Sequence, residues 1–214
     1  MKEKINIQLI KPFGPFIGKV KIPLELLNKL NEYFDKLSID PELSKLQNHG
    51  HRLAGNVNQE IKIDDKFVQD SGWIRFLATH SKAWIENSIL PKKELKNFKL
   101  INSWIVSQFK NEYNPTHVHN GHISGVGYLK VPSTFGSYTQ ENKKNNTNGN
   151  LQLIHGSKQF LSESYYTICP EVGDFYFFPN YLMHTVFPFY DTDEERRSVS
   201  FNAWIDDDIY NAYI

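Results

Sequence analysis

A single cysteine, Cys169, is all the chain offers. That excludes an intramolecular disulfide framework and any cysteine-built zinc site, and it suits a reducing compartment such as the cytoplasm. An excess of one charge is missing as well, because 24 Lys and Arg balance 24 Asp and Glu and the pI is about 7.1. Nothing therefore draws the whole molecule toward nucleic acid or an anionic membrane, and no basic aromatic groove for single strands is visible. Apolar runs of membrane-spanning length are absent. The opening Met1-Lys-Glu-Lys-Ile is charged and strand-like, unlike a secretory signal. There is no internal repeat. These absences predict a soluble cytoplasmic protein with neither nucleic acid nor membrane as partner.

What is present divides into two textures within a length, 214 residues, that fits one domain with a sizeable core. Residues 1 to about 99 carry the helical patterns and read as a supporting region. Ile5–Ile10 and Phe16–Lys21 alternate as a hairpin around Gly14-Pro15. Pro23 suits a first helical turn, and Leu27, Leu30, Phe34 and Leu37 recur on one helix face. Residues 38 to 60 are polar and irregular and read as a long surface loop with room for one short turn of helix. Asp70 or Ser71 is positioned to cap a second helix lined by Trp73, Phe76, Leu77, His80 and Trp84, ending before Pro91. From residue 100 to 205 the chain reads almost wholly as strands: Leu100–Phe109, Ser124–Val131, Leu151–Ile154, Tyr165–Cys169, Asp174–Phe178, His184–Phe187 and Arg196–Ile205. Lys143–Asn150 reads as a mobile loop. Many short strands behind two covering helices predict a mainly β fold, a jelly-roll or cupin-like double-stranded β-helix with flanking helices.

Three of the eight histidines fall within Asn114-Pro-Thr-His-Val-His-Asn-Gly-His-Ile-Ser-Gly125. Side chains alternate along an extended segment, so His117 and His119 point the same way and can present two imidazoles to one metal ion. His184, after an apolar strand and a Pro-Asn turn, is the candidate third ligand. In the last strand Arg196, Ser198, Ser200 and Asn202 share one face and Val199, Phe201 and Ala203 the other. An ordinary polar strand face looks at water. Here small hydroxyls surround one arginine, whose fork holds a carboxylate through two parallel hydrogen bonds, with a third from Ser198. That pattern predicts a carboxylate pocket inside the barrel.

The order of H-x-H, Ser124-Gly-Val-Gly-Tyr-Leu129, Gly173 to Pro179, His184 and Glu195 to Asn202 resembles the Fe(II)- and 2-oxoglutarate-dependent oxygenases. The subgroup found in marine bacteria and their phages is the nearest likeness, over about residues 100 to 205. The resemblance implies one ferrous ion held by His117 and His184, with Arg196 gripping the C5 carboxylate of 2-oxoglutarate, Ser198 assisting and Tyr128 within reach of the co-substrate. It also implies 2-oxoglutarate and O2 as partners, and C–H hydroxylation of a small-molecule or peptide substrate coupled to oxidative decarboxylation. One position departs from the family pattern, where two histidines are joined by a carboxylate. His119 stands there instead. It either completes a three-histidine site, whose charge the dianionic co-substrate offsets, or leaves the third place to water, Asp174 or His122.

The plainer reading of several residues points away from the site. His122 reads as a polar loop residue on the surface, Asp174 as a shaper of strand entry, Trp104 as core. His49, His51, His80 and His155 read as structural or exposed. The segments 38–60 and 132–150 read as lids that exclude water and set substrate choice. Two other functions fit the same residues: a cupin-type three-histidine dioxygenase that uses no keto acid, and a non-catalytic jelly-roll binding module.

Overall fold

The computed structural model describes residues 7–10, 14–48, 50, 53–89, 93–138, 140 and 143–213. His49, His51, Pro91 and the first two positions of the expected Ile5–Ile10 strand lie outside the described residues. The chain runs β1 (Gln8–Ile10), β2 (Ile17–Lys21), α1 (Leu24–Ile39), α2 (Pro41–Leu46), β3 (Gln59–Lys62), α3 (Asp65–Asp70) and α4 (Trp73–Ser88). It continues through β4 (Phe98–Gln108), β5 (Asn114–His117), β6 (Ile123–Lys130), β7 (Leu151–Ile154), β8 (Tyr165–Ile168), β9 (Asp174–Pro179), β10 (Met183–Val186), β11 (Arg196–Ile205) and α5 (Asp207–Tyr210).

From β4 onward the strands divide between two antiparallel sheets. β4, β6, β9 and β11 enter a seven-stranded sheet ordered β1-β2-β9-β6-β11-β4-β3, while β5, β7, β8 and β10 form a four-stranded sheet ordered β5-β10-β7-β8. This is the expected jelly roll. Period-2 alternation then decides which side chains go where. Phe175, Phe177, Val199, Phe201 and Ala203 turn outward, where α1 and α4 cover them with Leu30, Phe34, Trp73, Leu77 and Trp84. Tyr176 and Phe178 turn inward to join Leu151, Leu153, Ile168 and Leu182 between the sheets. A sheet covered on both faces needs strands apolar on both faces, which β9 supplies from Phe175 to Phe178.

Four local readings need correction. The 38–60 segment is only partly loop: Asp40 caps α2, accepting from Glu42 N and Leu43 N with Pro41 in the first turn, and β3 begins at Gln59. α3 was not foreseen; Asp64 caps it, accepting from Phe67 N at 2.7 Å. Gly72, at φ 88°, takes the position before α4, with Ser71 Oγ accepting from Trp73 N, so neither Asp70 nor Ser71 is the cap itself. The segment before β7 is tied down at several points. Ser133 donates to Glu194, and the Asn148 amide donates to the Phe135 carbonyl. No described helix is long and apolar enough to cross a membrane.

Candidate active site

The inward face of β11 closes one wall of a cavity of about 430 Å³ lined by Arg196, Ser198, Ser200 and Asn202. All four are buried, so this polar face looks at the cavity and not at bulk water. His117, His119, His184 and Trp104 line the same cavity. The three histidines each offer a ring nitrogen, and these atoms lie within 4.8 Å of one another.

Local structure fixes each imidazole. His117 ends β5 and His184 lies on β10, paired across the small sheet. His117 Nδ1 donates to the Pro115 carbonyl at 2.7 Å and His184 Nδ1 to the Leu182 carbonyl at 2.9 Å. With Nδ1 carrying the proton, Nε2 of both rings holds the lone pair that a metal needs. His119 lies just past β5, its backbone N–H donating to Asn180 O and its carbonyl accepting from Asn180 Nδ2. That clamp brings His119 Nε2 to 3.1 Å from His184 Nε2. Burial, then repulsion from the neighbouring rings, pushes the His119 pKa down to about 2 and that of His184 to about 3; burial lowers His117 too. All three stay neutral, the ligating form. Neither alternative third ligand approaches them. Asp174 is buried elsewhere against Lys19 and Lys21. His122, expected at the surface, is buried with its ring stacked on Tyr210 and Nδ1 3.2 Å from the backbone N and O of Ile205.

The two adjacent arginines of β11 show which one awaits a ligand. Arg197 faces outward and is saturated: Nη2 donates to Asp35 and Glu195, and Nε to Glu195. Arg196 faces inward, 2% exposed, and meets no carboxylate among the described residues. Its Nε donates to the Gly149 carbonyl at 3.0 Å and its Nη1 to Gln108 Oε1 at 3.1 Å, while Nη2 is buried with no partner. Tyr128 is paired opposite Ser198, its ring 5.2 Å from the guanidinium carbon, and its hydroxyl is also buried and unpartnered. Tyr128 is fully buried and backs Arg196 without reaching the cavity wall. Gly149 is required for this arrangement: at φ +68° it lies against Phe135, and a Cβ would come within 2.2 Å of that ring. Two orphaned donors beside one buried arginine suit a carboxylate, and three imidazole nitrogens suit a borderline divalent metal.

Residues 102–202 match the family model described as "Putative 2OG-Fe(II) oxygenase". These residues belong to the 2OG-Fe(II) oxygenase family. The oxygenase core and its helices also share their fold with solved structures. A prolyl-4-hydroxylase from Pseudomonas putida superposes with TM-score 0.55 at 15% identity, over 88% of this chain and 91% of that one. The viral collagen prolyl hydroxylase of Paramecium Bursaria Chlorella virus-1, solved as a 2OG complex, gives 0.52 at 12% identity over 88% and 94%. A Trichoplax adhaerens prolyl hydroxylase, in complex with a hypoxia inducible factor oxygen degradation domain peptide fragment, gives 0.51 at 12% over 92% and 86%. A search of curated protein sequences gives no match. Over residues 102–202 the match is thus to an Fe(II)- and 2-oxoglutarate-dependent oxygenase, and the cavity holds residues that fit both cofactors.

Three lining residues lie outside the expected site. Trp104 is core in burial yet also wall, its ring 5.6 Å from that of His119. Asn102, paired with Asn202, has a buried side-chain oxygen without a partner. Glu60 falls in the segment that the sequence reads as a surface loop, yet it is 2% exposed, lines the cavity, and its Oε2 has no hydrogen-bond partner. Only its alternation with Ile61 in Gln59–Lys62 marked it, and that pattern equally describes an exposed edge strand.

Burial pushes the Glu60 carboxyl pKa up from its ordinary 4.5 to about 7. The folded state therefore holds this proton more tightly than the unfolded chain. Stability is unaffected by the group below about pH 4.5, falls as the pH rises toward 7, and carries the full cost above it. A displacement of that size corresponds to roughly 3 kcal/mol. Glu60→Gln is expected to stabilise the protein by about 1–3 kcal/mol at pH 8 and to leave it unchanged at pH 4. Urea midpoints at the two pH values check this, and an unmoved midpoint at pH 8 would contradict it.

Proposed function

We propose that His117, His119 and His184 hold the ferrous ion, that Arg196 with Ser198 holds the C5 carboxylate of 2-oxoglutarate while Tyr128 supports Arg196 from behind, and that the enzyme hydroxylates a C–H bond of a small-molecule or peptide substrate. The whole chain acts as one oxygenase unit, with residues 1–99 supporting the 100–205 core. When bound, iron and 2-oxoglutarate supply the oxidising chemistry, with decarboxylation of the keto acid to succinate. The protein's own residues bind and orient. Carbonyls of Pro115 and Leu182 hold two imidazoles in the ligating tautomer, and Arg196, stripped of water, offers an unused donor to the incoming carboxylate. Ser198 stands one strand position pair away from Arg196 on the same face. Trp104, Val126, Phe178 and Val186 give the cavity apolar wall that keeps water from the reacting centre.

The observation that carries this reading is the pairing of a three-imidazole cluster with a buried arginine that lacks an anionic partner. A keto acid whose one end binds the metal and whose far carboxylate meets Arg196 uses both groups at once. The peptide substrate class draws on the Trichoplax relative, which binds a peptide. Mixing the protein anaerobically with Fe(II) and 2-oxoglutarate is expected to produce a visible charge-transfer band, and admission of air to produce succinate. Neither band nor succinate would overturn the proposal, while oxygen uptake indifferent to 2-oxoglutarate would favour the cupin-type reading.

A further inference from the structure

The unsatisfied polar atoms around the cavity differ in kind with position. Beside Arg196 they are Arg196 Nη2, a donor, and the Tyr128 hydroxyl; across the sheet they are Glu60 Oε2 on β3 and, four positions further along β4, the Asn102 side-chain oxygen, both acceptors. The first pair suits the co-substrate carboxylate. The second pair has no function yet.

Register places Glu60 well. It pairs with Val106 on β4, which pairs with Ser198 on β11, which pairs with Tyr128 on β6. All four stand in one row, two strand spacings or about 10 Å separating Glu60 from Ser198. Glu60 therefore faces the cavity level with Ser198 and to one side of it, on the β3 flank that Asn114 also lines. The covering segment leaves it room: a Cβ at Gly55 would come 2.7 Å from Glu60 Oε1 and 2.6 Å from Asn114 Oδ1, and one at Gly50 would come 3.3 Å from Glu60 Oε2. Leu53, Ala54 and Val106 complete this part of the wall and bring no positive charge. Among the described residues Glu60 makes no ion pair or hydrogen bond. A buried carboxylate that served the fold alone would be paired, because an unpaired one costs several kcal/mol.

We propose, resting on the oxygenase reading above, that Glu60 selects the substrate and that the substrate carries a cationic nitrogen, the ammonium or guanidinium of a basic amino acid, free or within a peptide. The cation docks between Glu60 and the side-chain oxygen of Asn114, and the carbon chain that bears it runs toward the three histidines. The carboxyl pKa of about 7 is consistent with a site built for a charge that the described residues do not provide.

Calorimetry under nitrogen, on protein loaded with Fe(II) and 2-oxoglutarate, tests this with L-lysine and L-arginine, with tripeptides containing each, and with the neutral counterparts norleucine and citrulline. At least one cationic probe is expected to bind tenfold or more tightly than its neutral counterpart. Glu60→Gln is expected to abolish that preference while changing 2-oxoglutarate affinity less than twofold. Stronger binding of the free amino acid or of the tripeptide identifies the source of the cation. Equal binding of charged and neutral probes, no binding of any cationic probe, or a preference that survives Glu60→Gln would each overturn the proposal. The charged-versus-neutral comparison on wild-type protein does not depend on the variant folding. Loss of 2-oxoglutarate binding alone, with the cation preference intact in metal-free protein, would overturn the oxygenase reading and leave the role of Glu60 standing.

Discussion

Arg196→Ala is expected to weaken 2-oxoglutarate by at least about 100-fold while moving iron affinity by no more than a few-fold. The size follows from burial. Removing one partner of a desolvated charge pair strands the other, at roughly 3–5 kcal/mol, and every 1.4 kcal/mol is tenfold in affinity. Arg196 is 2% exposed and anchored by Gly149 and Gln108, so the guanidinium is held in place before any ligand arrives. Preorganisation of this kind means that little ordering entropy offsets the gain. Arg196→Lys is no substitute, since a point charge on a flexible stem cannot keep both anchors and still offer a donor. Titration of 2-oxoglutarate into anaerobic protein checks the effect. An unchanged co-substrate affinity would place the carboxylate site elsewhere. Arg197→Ala gives the contrast: its guanidinium is spent on Asp35 and Glu195, so stability falls and 2-oxoglutarate affinity does not.

His184→Ala is expected to lower iron affinity by at least about 100-fold and to end succinate formation. Groups that merely orient a ligating histidine are worth 10- to 100-fold in affinity, so a ligand itself lies at or above the top of that range. His184 is the most buried of the three, and its Nε2 is 3.1 Å from that of His119. Metal analysis after gel filtration, together with the anaerobic charge-transfer band, reads the result. Full retention of iron by His184→Ala would remove His184 from the metal centre. Thermal unfolding of metal-free protein provides the control, since a folded variant separates lost ligation from lost structure.

How far the site was legible depended on the range of the forces that form it. Arg196, Ser198, Ser200 and Asn202 were readable as one chemical face because strand alternation is local and the strand is long. His117 and His119 were readable because they are two residues apart. His184 needed its place in an order of motifs. His122 was misread because what buries it, Trp204 and Tyr210, comes from some eighty residues on. Asp174 revealed nothing of its partners, as Lys19 and Lys21 are over 150 residues earlier and meet it through the pairing of β2 with β9. Glu60 was the largest omission. Its strand exists because β4 offers an edge more than forty positions away, and no local pattern records that.

By itself the sequence determined the jelly roll, the chemically active face of β11 and the identity of the metal-binding candidates, because alternation and spacing are properties of neighbouring residues. The tertiary structure alone decided that His119 joins His117 and His184, that among the described residues Arg196 and not Arg197 lacks an anion, and that Glu60 faces the cavity. Each of these depends on which distant strand lies alongside, and on whether a charge buried by that pairing finds a partner.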